Sequence, residues 1–460
     1  MTSYRSLSLW HDSAGDDFTS RSPLTGKVDA ADVAIVGAGY TGLWTAYYLK
    51  RLQPDLRVVV IEAEVAGFGA SGRNGGWATG EFAGNRSTMA RRHGREPVVR
   101  LIREMFDTVD EIGRVIVEEG IDCHFDKGGI LSFATNAAHV VRLQQELQYQ
   151  RSWGLGEEDY RFLGPDVVDE RARVAGSLGA LSTPHAAAIH PARLVRGLAT
   201  AVERKGVTIF ENSRAIRVDI NGVVTEHGMI RARVVLRCTE AFTRHLPGQR
   251  RTYLPVYSLM IATEPLGDSF WRNIGFGRRE VFNDARHLVI YGQRTLDGRL
   301  AFGGRGGRYH FGSLVDPSLD RQPRVHEAVA RILHKLFPAA AGARITHTWG
   351  GAVAIPRDWR PAVVFDRNTG FGYAGGYVGE GVAASNLAGR TLADLVLNRD
   401  TDLIKLPWVQ HQARPWEPEP LRFIGVNAAI RLAPIADRIE ARTGRPSRFM
   451  GGLLDTLTGR

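Results

Sequence analysis

A chain of 460 residues, 43% of them hydrophobic and 23% charged, is long enough for two substantial globular domains. Its formal net charge is +10, but arginine far outnumbers lysine and the basic residues are scattered, so nucleic acid is not expected as a partner. Cys123 and Cys238 lie far apart without a metal-ligand pattern, which speaks against a disulfide framework or a metal site and points to a reducing cytoplasm.

Residues 1–30 read as a polar lead-in with no helical or strand period and without the basic-then-apolar start of a signal peptide. No run of about 20 apolar residues occurs, so no membrane span is expected.

Residues 31–36 are a short apolar, β-branched run suited to a buried parallel strand. Gly37, Gly39 and Gly42 then form G-x-G-x-x-G, followed by a helix over about 41–52 and a second apolar strand over 57–61. The first glycine permits a tight turn, the second lets backbone approach a pyrophosphate, and the third lets helix and strand pack closely. The helix N-terminus, through Tyr40 and Thr41, would face the phosphate. Glu62 follows Gly42 by about 20 residues, where a carboxylate can bind ribose hydroxyls, with Ala63 beside it. This strand–turn–helix context indicates a dinucleotide, with NAD and FAD both open. Residues 67–76, which include Gly69, Ala70, Ser71, Arg73, Asn74, Gly75 and Gly76, are too glycine-dense for a helix and could line a second stretch of cofactor.

Residues 97–119 carry apolar side chains at helical spacing. Residues 121–135 read as a hairpin turning near 127–129, with His124 on a surface strand and Cys123 buried, and 137–149 as another helix. His190 before Pro191 suits the start of a helix that ends at Gly206. Strands follow on either side of a turn at Asn221 and Gly222. Residues 254–266 and 287–302 alternate as antiparallel strands, with a hairpin turn at Asp297 and Gly298. Residues 324–337 form a further amphipathic helix, and 346–372 are expected to return to the first domain. Residues 375–396 are a glycine turn leading into a helix. A proline-rich stretch and a basic amphipathic segment over about 426–443 complete the chain.

On VGAGYTGLWTAYYL, GASGRNGG, the GRLAFGGR stretch ending at Arg305 and GYAGGYVGEGV ending at Val382, the chain resembles the FAD-dependent oxidases of the D-amino-acid-oxidase superfamily. SGRNGG is especially like the glutamylputrescine oxidase branch. The resemblance implies an α/β fold: a Rossmann-like FAD-binding domain with a mostly antiparallel substrate domain inserted in it. The expected division is a lead-in over 1–30, the FAD domain over 31–95, 186–250 and 340–400, the substrate domain over 96–185 and 251–339, and a helical extension over 401–460.

It also implies roles. The 67–76 loop, with Arg73 and Asn74, would lie under the flavin ring, and backbone near Ala215 would touch the adenine. Gly375, Gly376, Gly379, Gly381 and Val382 would present N–H groups to the pyrimidine end of a non-covalent FAD, one per chain. Glu380 departs from the residues common in relatives; it either recognises an amine cation or faces solvent. Arg305 is the substrate-side candidate, able to pair with a carboxylate, its alternative being a structural salt bridge. Tyr257 and Tyr291, with Tyr309, Trp349 and Tyr377, could enclose an amine. The implied activity removes a hydride from the carbon next to an amine, giving an imine and, with oxygen, hydrogen peroxide. Two alternatives stand beside it: a dehydrogenase that passes electrons to a quinone or carrier, its C-terminal segment resting on a membrane, and a flavoprotein acting in tRNA modification.

Overall fold

The computed structural model describes residues 4–447. Two eight-stranded sheets organise it. The first runs in spatial order Ala362–Asp366, Phe371–Gly375, Gly228–Arg237, Gly26–Val36, Val58–Ile61 and Thr208–Phe210, with Ala215–Asp219 and Gly222–Thr225 appended as a hairpin. Its central pairs are parallel; only the outermost Ala362–Asp366 strand and the appended hairpin pair antiparallel. Val58–Ile61 is buried along its whole length, as a central parallel strand covered on both faces must be. The covering helices are Tyr40–Leu52, Pro191–Arg204 and Gly381–Val396.

The second sheet runs Ile345–Ile355, Leu254–Thr263, Leu300–Arg305, Ile290–Arg294, Val281–Asp284, Ile130–Phe133, Ala180–Thr183 and Arg161–Leu163. Every pair is antiparallel except Val281–Asp284 with Ile130–Phe133. Its strands enter the sequence in two blocks, each between strands of the first sheet, so the antiparallel unit is inserted in a Rossmann-like one. Alternation along each strand gives this sheet two faces. Ile261, Ile290 and Phe302 pack under Val329, Leu333 and Leu336 of the Pro323–Leu336 helix. Met260, Ala301 and Trp349 pack against Leu9, Trp10 and Ala192.

Four expectations change. The lead-in is not structureless: Leu9 and Trp10, on a short helix spanning Leu9–Asp12, are 2% exposed, and the first strand begins at Gly26. Residues 121–135 are not a local hairpin. Ile130–Phe133 pairs with strands remote in sequence, and Asp126 bridges Ala188, so long-range pairing overrides the local turn signal. His124 accordingly sits in a loop, half-buried and edge-on to His190. The chain returns to the first sheet at Ala362 rather than near 346, because Ile345–Ile355 pairs along its length with Leu254–Thr263. The C-terminal amphipathic segment is a longer helix, Leu421–Thr443, and the remainder of the 401–460 extension beyond Ser447 lies outside the described residues.

Candidate active site

A cleft opens at the C-terminal ends of the first sheet's parallel strands, where ligands bind in such folds. Gly37, Gly39, Tyr40, Thr41, Glu62, Ala63, Gly69, Ala70, Ser71 and Ala215 all line it. Gly42 lies behind the wall: a Cβ there would stand 2.0 Å from the Gly37 carbonyl oxygen, so only glycine lets the helix start this close to the strand. Gly37 itself has φ 107°, a conformation glycine alone adopts readily. Tyr40 N–H donates to Ser71 Oγ (2.9 Å), which ties the first glycine turn to the second glycine-rich loop.

Glu62 accepts from the N–H groups of Ala38 (2.8 Å) and Glu64 (3.1 Å). Desolvation nevertheless pushes its carboxyl up to about 7. A second acid in the cleft, Glu240, was not found from the sequence. Its Oε1 accepts the Gly376 N–H (2.8 Å), and backbone hydrogen bonds from Tyr377 and Ala354 also hold it. Desolvation outweighs those bonds and raises its carboxyl to about 7. One carboxyl thus joins the end of the Gly228–Arg237 strand, the glycine turn and the second sheet. Glu240 has φ 41° and Val378, in the same turn, φ 59°. Such strain in a β-branched residue persists only where the surroundings enforce it, and it clusters at functional turns.

The 375–382 segment therefore adjoins the cleft through Glu240. Glu380 is the N-cap position of the Gly381–Val396 helix, with its N–H on Tyr377 O (3.0 Å), and Val382 is buried within that helix. Tyr377 hydrogen-bonds Thr41 Oγ1 (3.0 Å), linking the turn to the helix that opens the cleft.

The 73–76 loop leads from the edge of the cleft at Ser71 toward the second sheet. None of Arg73, Asn74, Gly75 and Gly76 lines the cleft. The Arg73 side chain is 3% exposed and ion-pairs with Asp320. Asn74 bonds Ala70 O (3.2 Å) and Ser71 O (3.0 Å), closing the short Ala70–Arg73 helix, and its Oδ1 accepts Gly76 N–H (2.8 Å). Trp10 Nε1 donates to Asn74 O (2.8 Å) and Trp349 Nε1 to Arg73 O (2.9 Å). The loop is thus bolted to the second sheet by side chains, and its glycines admit that sheet. A Cβ on Gly75 would meet the Tyr291 ring at 2.7 Å and one on Gly76 would meet Gln293 Nε2 at 1.8 Å. Gln293, fully buried, donates to Gly76 O (2.9 Å) and Ile189 O (3.1 Å), while its Oε1 has no partner among the described residues.

Like Tyr377, three more of the five aromatics have their hydroxyls engaged within the protein. Tyr257 OH is engaged with the Asp316 backbone, Tyr309 OH with Glu419 (2.6 Å), and Tyr291 OH with Ser258 Oγ (2.6 Å). Arg305 ends the Leu300–Arg305 strand, its backbone paired opposite Ser258. His190 caps the Pro191–Arg204 helix, as expected, accepting from Arg193 N–H (3.3 Å), and burial lowers it to about 3.

The cleft fits the expected cofactor: a helix N-terminus at a glycine turn for a pyrophosphate, a carboxylate at the next strand end for a ribose, and Ala215 beside it. Comparison with known proteins agrees. A family model described as FAD dependent oxidoreductase (DAO) matches residues 32–395. The chain is 30% identical over 409 residues to a probable oxidoreductase OrdL of Rhizobium meliloti, covering 84% of this chain and 87% of that one. It is 29% identical over 371 residues to gamma-glutamylputrescine oxidoreductase of Escherichia coli, covering 79% and 83%. Among solved structures, glycine oxidase from Geobacillus kaustophilus superposes with a TM-score of 0.69 at 20% identity, over 84% of this chain and 100% of the other. L-Proline dehydrogenase from P. horikoshii gives 0.68 at 20% identity, over 84% and 98%. With its glycine turn, ribose-side carboxylate and inserted antiparallel sheet accounted for, the chain belongs to the DAO family of FAD-dependent oxidoreductases.

Proposed function

We propose that the protein oxidises an amine or amino acid at the carbon bonded to nitrogen, giving an imine, and that oxygen takes the two electrons and two protons to become hydrogen peroxide. FAD, when bound, supplies the two-electron acceptor between them. The observation that carries the reading is the double membership of the 375–381 turn. Glu240 in the cofactor cleft holds Gly376, while Val378 packs with Leu254, Val256 and Ile355 of the second sheet. Cofactor wall and substrate sheet therefore share one element. Gly37, Gly39, Tyr40 and Thr41 would hold the pyrophosphate, Glu62 and Ala63 a ribose, Ala215 the adenine, and Gly69, Ala70 and Ser71 the stretch beyond. Arg305 and Glu380 would meet the ends of the substrate, and Tyr291 would form part of its wall.

Attachment is non-covalent in this reading: Cys238 lines the cleft, but burial pushes its thiol up to about 12, so it stays protonated at neutral pH. Acid precipitation should release the flavin into the supernatant. The sparse, unpaired cysteines support a cytoplasmic location.

The test is a screen of amines and amino acids that follows bleaching of the flavin absorbance without oxygen, then oxygen uptake with the compounds that bleach it. Oxygen consumption matching imine formation supports the oxidase. Rapid bleaching with negligible oxygen uptake would favour a dehydrogenase passing electrons to a quinone or carrier. One observation motivates that second reading: the C-terminal helix exposes Leu421, Ile424, Ile435 and Ile439 beside exposed Arg431 and Arg438, a combination suited to a membrane surface.

The two raised carboxyls make cofactor binding pH-dependent. Folded Glu62 and Glu240 hold protons up to about pH 7, above the ordinary carboxylate range, so the stability they lend is present at low pH and lost as pH rises through 7. A pyrophosphate entering the cleft favours the protonated form of Glu240 further, whereas ribose hydroxyls donating to Glu62 would favour its ionised form, so the coupled proton is the one on Glu240. FAD affinity of the apoprotein should fall with rising pH above 7, by up to about tenfold per pH unit per coupled proton. Glu240→Gln keeps an acceptor for Gly376 N–H and should flatten the profile above pH 7. Flavin-fluorescence titrations from pH 6 to 9 measure this; identical slopes in the two proteins would sink the assignment.

A further inference from the structure

A large cavity, about 1240 Å³, lies outside the cofactor cleft. Its floor is the second sheet: Leu254 and Val256 stand opposite Ile355 and Val353, and all four line it. Gly306 and Gly307, which follow Arg305, form part of one wall, and the Ala137–Ser152 helix supplies another through Val141 and Tyr149. The Leu421–Thr443 helix overhangs it with Val426, Ala429, Ile430 and Ala433. Val378 of the glycine turn belongs to the same apolar cluster as Leu254, Val256 and Ile355, so this chamber adjoins the turn that the cofactor cleft shares.

The roof is fastened at both ends. Just before it, Glu419 accepts from Tyr309 OH (2.6 Å) and Gly312 N–H (2.9 Å). Near its end, Asp437 accepts from the N–H groups of His287 (2.7 Å) and Leu288 (3.1 Å). Glu440, 1% exposed, takes Arg142 Nη2 (2.6 Å) and His287 Nε2 (2.9 Å). These pairs commit much of the charge around the chamber to holding the helix: Arg142 to Glu440, Arg422 to Glu419 and Arg357 to Glu417. The interior offers chiefly aliphatic and aromatic surface. The helix also lies beyond residue 395, where the family match ends.

We propose that this helix is the roof of the substrate chamber and a specificity element of this chain, selecting an amine with an extended apolar body over small amino acids; the proposal rests on the amine-oxidoreductase reading above. Ligand pockets of drug-sized molecules span about 300–1,000 Å³. A glycine-sized substrate would leave most of this chamber unfilled, whereas each methylene placed against its walls gains affinity, about fourfold when fully buried.

Holoenzyme calorimetry with the n-alkyl carboxylates from acetate to decanoate, which carry no oxidisable amine, reads the chamber directly. Affinity should climb with chain length in the wild type. Ala429→Trp, at a half-exposed site on the inner side of the roof, should cut that climb short and lower decanoate affinity at least tenfold, leaving acetate unchanged; Ala429→Leu, a milder filling, should fall between. A wild-type affinity independent of chain length, or an unaltered climb in either folded variant, overturns the chamber. The same series of n-alkylamines is then assayed by anaerobic flavin bleaching, where kcat/KM should follow the same order. If the carboxylates show the climb and neither these amines nor the amines and amino acids of the wider screen bleach the flavin, the amine-oxidoreductase reading falls and the apolar chamber stands.

Discussion

Gly42→Val should give protein that lacks bound flavin and unfolds at a lower temperature. A Cβ at this position would stand 2.0 Å from the Gly37 carbonyl oxygen and 3.1 Å from Ile35 Cγ2. The first contact is with backbone and cannot be relieved by a rotamer change. The Tyr40–Leu52 helix would have to move away from the Gly26–Val36 strand, taking the N–H groups of Tyr40 and Thr41 with it. Overpacking of this kind costs about 1–3 kcal/mol of stability or more. Cofactor loss should exceed what that figure alone suggests, because pyrophosphate recognition depends on where the helix begins. Gly42→Ala should show the same two effects in milder form, and the flavin-to-protein absorbance ratio with a thermal melt measures both. Gly39→Val should also lose FAD, by another route: its Cβ would come within 2.9 Å of Ser71 Oγ, the acceptor of Tyr40 N–H. Full flavin occupancy in Gly42→Val would show that the dinucleotide lies elsewhere.

That site could be read from the sequence because everything defining it is local. Gly37, Gly39, Gly42 and Glu62 fall within one strand–turn–helix–strand unit, whose hydrophobic periods and glycine spacing carry the information by themselves. The antiparallel character of the second sheet was legible for the same reason in 254–302, where the strands around Asp297 and Gly298 form a hairpin. What stayed hidden depends on distant partners. Glu240 holds Gly376 across 136 residues, and a glutamate after a strand gives no sign that it will turn inward to a glycine turn. Trp10 reaches the loop at Asn74, and Gln293 reaches Gly76 across 217 residues. The 345–355 stretch belongs to the second sheet although its apolar pattern suits either; pairing with Leu254–Thr263 decides it. The roof helix was visible as an amphipathic segment, but an apolar stripe does not say what it covers.

Arg73 separates the two kinds of information, since its motif is local and its ion-pair partner is distant in sequence. Arg73→Ala should lower stability at neutral pH by about 3–5 kcal/mol, the usual result of removing one partner from a buried ion pair. Arg73 and Asp320 have side chains 3% and 12% exposed and pair across 247 residues, between the glycine-rich loop and the segment beside the second sheet. Burial already holds the Asp320 carboxyl above its ordinary range, with Arg73 opposing that rise. Without the guanidinium the carboxyl should rise further, so that the folded state binds a proton the unfolded state releases. Stability of the variant should therefore fall as pH rises through the new Asp320 pKa and recover on acidification. Arg73→Ala combined with Asp320→Asn removes the unmatched charge and should regain part of the loss at neutral pH. Denaturant unfolding of the wild type, the single variant and the double variant between pH 5 and 8 measures all three. We expect the double variant to retain its flavin, because Trp349 still holds the loop through the Arg73 carbonyl and Asn74 still closes the short helix before it. A double variant that folds with wild-type stability yet is colourless would place the Arg73 guanidinium on the cofactor after all.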